Sequence, residues 1–313
     1  MDFASIFKEE LSSYIDFKKS QGYKEASFSG LARKLDIFLM QKNDKTFTDV
    51  DCELWRMKPK SESNKSHYSR VCFSKKFFTY LRLKGYEVSI PKLVAFIPSD
   101  FQAHIYSREE IVKYFIAVDS FSQNLSVRMR LQIPIIFRLL YSTGMRIGEV
   151  LGIRKKDYDR DTGSIFIPVS KNQKERIIFL SASMANLLEK FANKTFDRLS
   201  DSDFIFQDST CRKLTNSAIR HHHLKFLNMA NIPYLGEFKG PRIHDFRHTF
   251  AVYSFRQLLE MGIKVNVALS ILSKYMGHSS IEATEGYIQI VKSMFPDILV
   301  PFEEKTMFIF KDL

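Results

Sequence analysis

Acidic residues are in short supply in this chain. Its 313 residues carry 35 Asp and Glu against 47 Lys and Arg, a formal net charge of +12 and a pI near 9.4. A polyanionic partner is favoured by that balance, because each phosphate a protein neutralises releases condensed counterions. Cysteine is scarcer still. Cys52, Cys72 and Cys211 are odd in number and lack ligand spacing, which argues against a disulfide framework or a zinc site and for reduced thiols in a cytosol. Nor does any apolar run approach the roughly 20 residues that a membrane-spanning helix requires. The first residues, Met1-Asp-Phe-Ala-Ser-Ile-Phe-Lys-Glu-Glu10, are acidic and amphipathic, so no secretion signal is expected there. Internal repeats and low-complexity tracts are absent. What is present is a hydrophobic fraction of 45%, too high for disorder, in a length that suits two ordinary domains or one large one.

The positive charge is unevenly spread. Residues 54–84 hold nine Lys or Arg (Arg56, Lys58, Lys60, Lys65, Arg70, Lys75, Lys76, Arg82, Lys84) and a single acid, Glu62. They alternate with Tyr68, Phe73, Phe77, Phe78 and Tyr80, which suggests aromatics in a core and cations facing outward. Such a face can be merely solvated, but a one-sided excess of this size suits a DNA backbone.

Periodicity divides the chain. Over residues 1–90, Phe3, Ile6, Phe7, Leu11, Tyr14 and Ile15 mark a first helix ended by Gly22, and a second runs over about 27–40. A third starts at residues 49–55 with Asp51 as its expected N-cap, and a fourth spans 65–84 with Gly85 as its C-cap. Residues 91–106, with Pro91 and Pro98, read as a linker. The capping box Ser107-Arg-Glu-Glu110 opens a second domain over 107–290, with helices near 107–120 and 127–142. A hairpin pairs 164–169 with 175–180, and later segments are helical. Residues 291–313 form a tail ending in the apolar Met307-Phe-Ile-Phe310. The expected fold class is mainly α with a small antiparallel β-sheet.

The most informative stretch is Tyr141-Ser-Thr-Gly-Met-Arg-Ile-Gly-Glu-Val150, because of the residues that lie downstream at set distances. Arg146 begins a helical run, where a guanidinium and exposed amides both favour an anion. Lys171 stands at the hairpin tip in Ser170-Lys-Asn-Gln-Lys-Glu-Arg176, where it could deliver a proton into a groove, with Lys174 as the alternative. In Ile243-His-Asp-Phe-Arg-His-Thr-Phe250, His244 and Arg247 share a helix face, while His248 is assigned to another azimuth and to structure. His278 comes directly after Gly277, and Tyr287 nine residues later. The run His221-His-His223 reads as solvated or DNA-facing, since consecutive histidines on a helix diverge by about 100° and cannot share a metal.

Thr143-Gly-Met-Arg-Ile-Gly-Glu149, Ser170-Lys171, His244-Asp-Phe-Arg247, Gly277-His278 and Tyr287 together resemble the tyrosine recombinase family of phage integrases and Xer-type site-specific recombinases. The first ninety residues are similar to that family's helical core-binding domain. Two departures are visible: Ser170 and Asn172 flank the lysine where glycines are commoner, and Gly286 precedes the tyrosine. The resemblance implies a helical core-binding domain plus an α+β catalytic domain forming a DNA clamp. Arg146, Lys171, His244, Arg247 and His278 would be the active-site set, Tyr287 the nucleophile, and Glu149 a supporting acid. Arg56, Lys58, Lys65, Arg70, Lys75, Lys76 and Lys174 are the candidate DNA-backbone contacts.

The function so implied is cutting and rejoining of double-stranded DNA through a 3′-phosphotyrosine and a Holliday junction, by a homo-tetramer on two sites, without metal or other cofactor. The tail would pack on its own domain or dock on a neighbouring protomer. An accessory DNA-bending protein or partner recombinase would fit, as would a prokaryotic cytosol or nucleoid and the absence of a membrane. The alternatives are a type IB topoisomerase-like nicking-closing enzyme and a DNA-binding relative with a decayed site.

Overall fold

A computed structural model of the chain describes residues 2–23, 25–42, 45–97, 103–122, 125–168, 175–234, 236, 240–277 and 294. It divides into two compact units, Met1–Asp100 and Phe101–Leu313.

The first unit packs α1 (Lys8–Ser20), α2 (Ser29–Leu39), α3 (Asp49–Arg56) and α4 (Asn64–Leu83). Apolar residues at three-to-four spacing dictate which faces go inward. Phe7, Leu11, Tyr14 and Ile15 on and before α1 meet Leu35 and Leu39 of α2 and Phe73, Phe77, Phe78 and Leu81 of α4. Burying each of these large side chains contributes about 1.5–3 kcal/mol. Phe47, from the segment before α3, stacks on Phe78 with ring centroids 3.8 Å apart. Trp55 donates its indole N–H to Ser74 Oγ at 2.8 Å, so the one polar atom of that ring is satisfied inside the core.

Two expectations are corrected here. The N-cap of α3 is Thr48, not Asp51: Thr48 Oγ1 accepts the Asp51 amide, and the Asp51 carboxylate accepts the Thr48 amide at 2.8 Å. Asp51 is therefore the third helical residue of a capping box, whose acid reaches back to the cap. The second correction concerns Arg70, expected on the DNA side. It is 6% exposed and turned inward, donating to both Glu62 oxygens and to the carbonyls of Trp55 and Met57, over the Trp55 ring. Glu62, the lone acid of the basic stretch, is buried too, and burying one charge compels the burial of its partner. Lys58, Lys65 and Lys76 do face solvent, while Arg56 pairs with Glu53 and Lys75 is half-buried.

The second unit begins with α5 (Arg108–Ser122), where Ser107 Oγ accepts the Glu110 amide at 3.1 Å and Glu110 accepts the Ser107 amide at 2.8 Å. Central to it is α6 (Val127–Thr143), which packs on α5, on α8 (Ala182–Thr195) and on α10 (Ile243–Glu260). Ile133, Ile136, Phe137 and Leu140 of α6 are buried with Tyr114, Phe226 and Phe246. A short α7 (Ile147–Val150) precedes a three-stranded antiparallel sheet of β1 (Tyr158–Asp159), β2 (Ser164–Ile167) and β3 (Arg176–Phe179), in sequence order. The register pairs Ile165 with Ile178 and Ile167 with Arg176. Among the described residues the remaining α-helices are α9 (Asn216–Met229) and α11 (Val265–Met276). Val252, Phe255, Leu269, Leu272 and Met276 form a smaller core between α10 and α11. No helix among the described residues is long and apolar enough to cross a membrane.

The histidine run on α9 is also corrected in part. His221 is exposed, but His223 is 1% exposed, with Nδ1 2.8 Å from the Tyr114 hydroxyl and Nε2 3.3 Å from the Pro241 carbonyl. Burial holds its pKa down at about 4, so it is a neutral core residue.

Candidate active site

The site is built where three chain segments end. The first is the C-terminus of α6. Thr143 turns its hydroxyl back to the Leu139 carbonyl, and Gly144 takes a left-handed conformation at φ +60°. A Cβ on Gly144 would stand 2.5 Å from Phe250 Cδ1, so glycine satisfies both the dihedral and the close approach. The turn sets Arg146 at the N-cap of α7. Its amide donates to Glu149 Oε2 at 2.9 Å and its Nη1 to Oε1 at 3.0 Å.

The second segment is α10. Its first turn is fixed by Asp245, fully buried, which accepts the Arg242 amide at 2.9 Å. Arg247, one turn on, is 2% exposed and donates through Nη1 to the Gly144 carbonyl at 2.7 Å and through Nη2 to the Met276 carbonyl. The third segment is the end of α11, where Gly277 adopts φ +63°. Arg146 Nη2 donates to the Gly277 carbonyl at 3.3 Å. Two guanidinium groups that are 101 positions apart in sequence thus reach consecutive carbonyls of one turn. That convergence depends on the packing of α6 against α10 and of α10 against α11.

His244 sits on the first turn of α10 with part of its ring open to solvent. The surrounding protein, then His248 and the cations Arg247, Arg242 and Arg146, push its pKa down to about 3, so the imidazole is neutral near pH 7. His248, assigned to another azimuth, is its neighbour: the rings lie 4.9 Å apart, edge to face. Residues four apart on a helix differ by only about 40° in azimuth and stack one turn above the other. Phe246 is fully buried, and Phe250 stacks on Tyr275 at 5.5 Å.

Arg176 is a member of this cluster that sequence inspection left unassigned. Its Nη1 and Nη2 donate to Glu149 Oε1 and Oε2 at 3.1 and 2.7 Å, a two-bond fork on a carboxylate whose side chain is 8% exposed. Burial alone would raise the Glu149 pKa. The Arg176 fork, the Arg146 amide and the two guanidinium charges outweigh it and hold the carboxyl below its usual range. The available signal was alternation in β3: Arg176 and Ile178 fall on one face, and Ile178 is buried, so an inward arginine needed a buried acid.

Lys171, its alternative Lys174, His278 and Tyr287 lie outside the described residues. Of the expected set, Arg146, Glu149, His244 and Arg247 are thus brought together. Among the described residues no group of three or more His, Cys, Asp or Glu side chains could hold a metal ion.

Comparison with known proteins gives a family. Residues 108–294 match the model of the phage integrase family. A putative integrase/recombinase, y4rB, of Sinorhizobium fredii is 24% identical over 294 residues, covering 91% of this chain and 93% of the relative. A tyrosine recombinase of Agathobacter rectalis is 27% identical over 262 residues, 78% of this chain and 76% of its own. In fold, the chain is similar to lambda integrase (residues 75–356), solved as a dimer bound to a COC′ core site: TM-score 0.66, 15% identity, covering 89% and 94% of the two chains.

Proposed function

This chain belongs to the phage integrase family, and from that premise we propose that it is a site-specific DNA recombinase working through a covalent 3′-phosphotyrosine and a Holliday junction. The observation that carries the proposal is the meeting of Arg146 and Arg247 at the Met276–Gly277 turn, beside His244 and just before the segment holding His278 and Tyr287.

Phosphoryl transfer between two alkoxides asks a protein chiefly to position the groups and to neutralise charge on the non-bridging oxygens. Guanidinium forks suit that task better than ammonium point charges. Arg146 is the more accessible of the two, its side chain 27% exposed, and Arg247 supplies charge from beneath. Tyr287 Oη attacks phosphorus, and the bond from phosphorus to the 5′ oxygen breaks. The phenol proton passes to His244, which is neutral and therefore able to accept it. Without DNA an imidazolium is disfavoured by its cationic neighbours, and the charge of an incoming phosphodiester relieves that repulsion. Lys171 gives its proton to the departing 5′ oxygen, which leaves as a hydroxyl, with Lys174 the alternative, and His278 orients the phosphate. The ester conserves the bond energy, so a 5′-hydroxyl from another duplex reverses the step. Charge neutralisation comes from the protein's own cations, without calling on a metal.

Double-stranded DNA is then the partner, held in part by Lys58, Lys65 and Lys76, and a homo-tetramer on two sites is the working assembly. A prokaryotic cytosol, where protein and DNA share one compartment, is the location that fits this reading.

The test uses nicked duplexes made from the DNA flanking the protein's own coding region. Wild type forms an SDS-resistant protein–DNA adduct through the 3′ phosphate at the break, and Tyr287→Phe forms none. Exchange between two labelled duplexes through a four-way junction selects recombination over simple nicking and closing. Adduct formation that survives Tyr287→Phe removes the proposal.

A further inference from the structure

Glu149 lies between two guanidinium groups, and only one of them belongs to the attacking constellation. Arg176, on the inward face of β3, has its side chain 9% exposed and both terminal nitrogens on the Glu149 carboxylate. Arg146 shares that carboxylate through its amide and Nη1. One negative charge therefore faces two positive ones, and the trio keeps a net charge of +1. Without Arg176 the trio would be neutral, and the buried carboxylate would hold Arg146 as its sole counter-ion. Arg176 also lies under the Gly277 turn: a Cβ on Gly277 would come within 3.1 Å of Arg176 Nη1. Its Nε is buried with no hydrogen-bond partner among the described residues, a cost the fold accepts to hold the fork in place.

We propose that Arg176 is a positioning residue of the active site, which satisfies Glu149 so that Arg146 keeps its charge for the scissile phosphate, and which braces the turn leading to His278 and Tyr287. This assignment rests on the strand-exchange chemistry above. A purely structural arginine would tolerate no further loss in its neighbourhood, whereas a charge-balancing arginine becomes dispensable once the charge it balances is gone.

The variants are Arg176→Met, Arg176→Lys and the double Arg176→Met/Glu149→Gln. Two readouts separate this assignment from the recombinase reading: single-turnover adduct formation on the nicked duplex, and binding of inorganic vanadate to the DNA-free protein by calorimetry. Arg176→Met is expected to slow adduct formation about 100-fold, the usual effect of a misplaced group about an ångström from its productive position. Its vanadate affinity falls about tenfold, the loss of one charge-assisted contact. The double variant regains at least about tenfold of the adduct rate and most of the vanadate affinity, because Arg146 no longer faces an unbalanced carboxylate. Arg176→Lys falls between, keeping charge but not the fork.

The pH dependence has its own sign. Arg176 is the strongest influence lowering the Glu149 pKa, so in Arg176→Met that pKa rises. Protonation of Glu149 then mimics the glutamine, and the deficit relative to wild type narrows as pH falls toward the carboxylate range. A double variant no better than Arg176→Met in either readout, or an Arg176→Met protein within twofold of wild type in both, overturns the proposal. Absence of an adduct from wild type itself refutes the recombinase reading, and the vanadate series then decides Arg176 alone: equal binding by wild type and Arg176→Met, or none by wild type, overturns it. If Arg176→Met fails to fold by circular dichroism, Arg176→Lys and Arg176→Lys/Glu149→Gln are compared by the same criteria.

Discussion

Replacing Gly144 with alanine attacks the site through its backbone. At φ +60° the residue sits in the left-handed region, which costs an L-residue roughly 1–2 kcal/mol. The new methyl would also lie 2.5 Å from Phe250 Cδ1 and 2.9 Å from Cγ, so the ring or the turn must move. Overpacking of that kind costs about 1–3 kcal/mol. The sum, roughly 2–5 kcal/mol, corresponds to a melting-temperature loss of roughly 4–20 °C for a unit of this size. The damage should reach the arginines. The Gly144 carbonyl accepts from Arg247 at 2.7 Å, and Phe250 stacks on Tyr275, the residue before Met276, whose carbonyl takes the other end of the Arg247 fork. Thermal unfolding of Gly144→Ala, Phe250→Leu and the double variant separates the two contributions. Trimming the ring should recover the steric part and leave the backbone part, so the double variant is more stable than the single effects sum to. A Gly144→Ala protein within about 0.5 kcal/mol of wild type, or strictly additive variants, would refute the close packing of this turn on α10.

Three further outcomes are expected. His223 titrates at about 4 in the fold against 6.5 outside it, so the unfolded chain binds more protons between those values and stability falls as pH drops from 6.5 toward 4; the His223 share is about 3 kcal/mol, and denaturation of His223→Leu at pH 7 and pH 4 should show a correspondingly flatter acid limb. Arg70→Ala leaves Glu62 buried without its fork and should destabilise the first unit by about 3–5 kcal/mol in urea titrations. Lys65→Ala and Lys76→Ala, at exposed positions, should each change stability by less than about 0.5 kcal/mol while lowering the salt-dependence slope of DNA binding by about one.

The outline of the fold was legible because helical periodicity and turn chemistry are local. Phe7, Leu11 and Tyr14 announce a buried helix face by spacing alone, and the Ser107 capping box opens α5 as expected. Asp51 was misplaced as the cap because it and Thr48, three residues apart, each bond the other's amide, so an acid at the third helical position looks like a cap in sequence. Arg70 was assigned to the DNA side because composition counts charges without saying where they point, and Glu62 with the Trp55 and Met57 carbonyls turns this one inward.

What the sequence by itself determined was the family, the order of the motifs and the residue types at Arg146, Glu149, His244 and Arg247, since these come from residue type and short-range spacing. Only the tertiary structure decided that Arg176 completes the Glu149 ion network and that Arg146 and Arg247 grip adjacent carbonyls of one turn. Contacts across 27 to 131 positions of chain depend on how α6, β3, α10 and α11 pack, and no local pattern of residues encodes which side chain a distant carboxylate will meet.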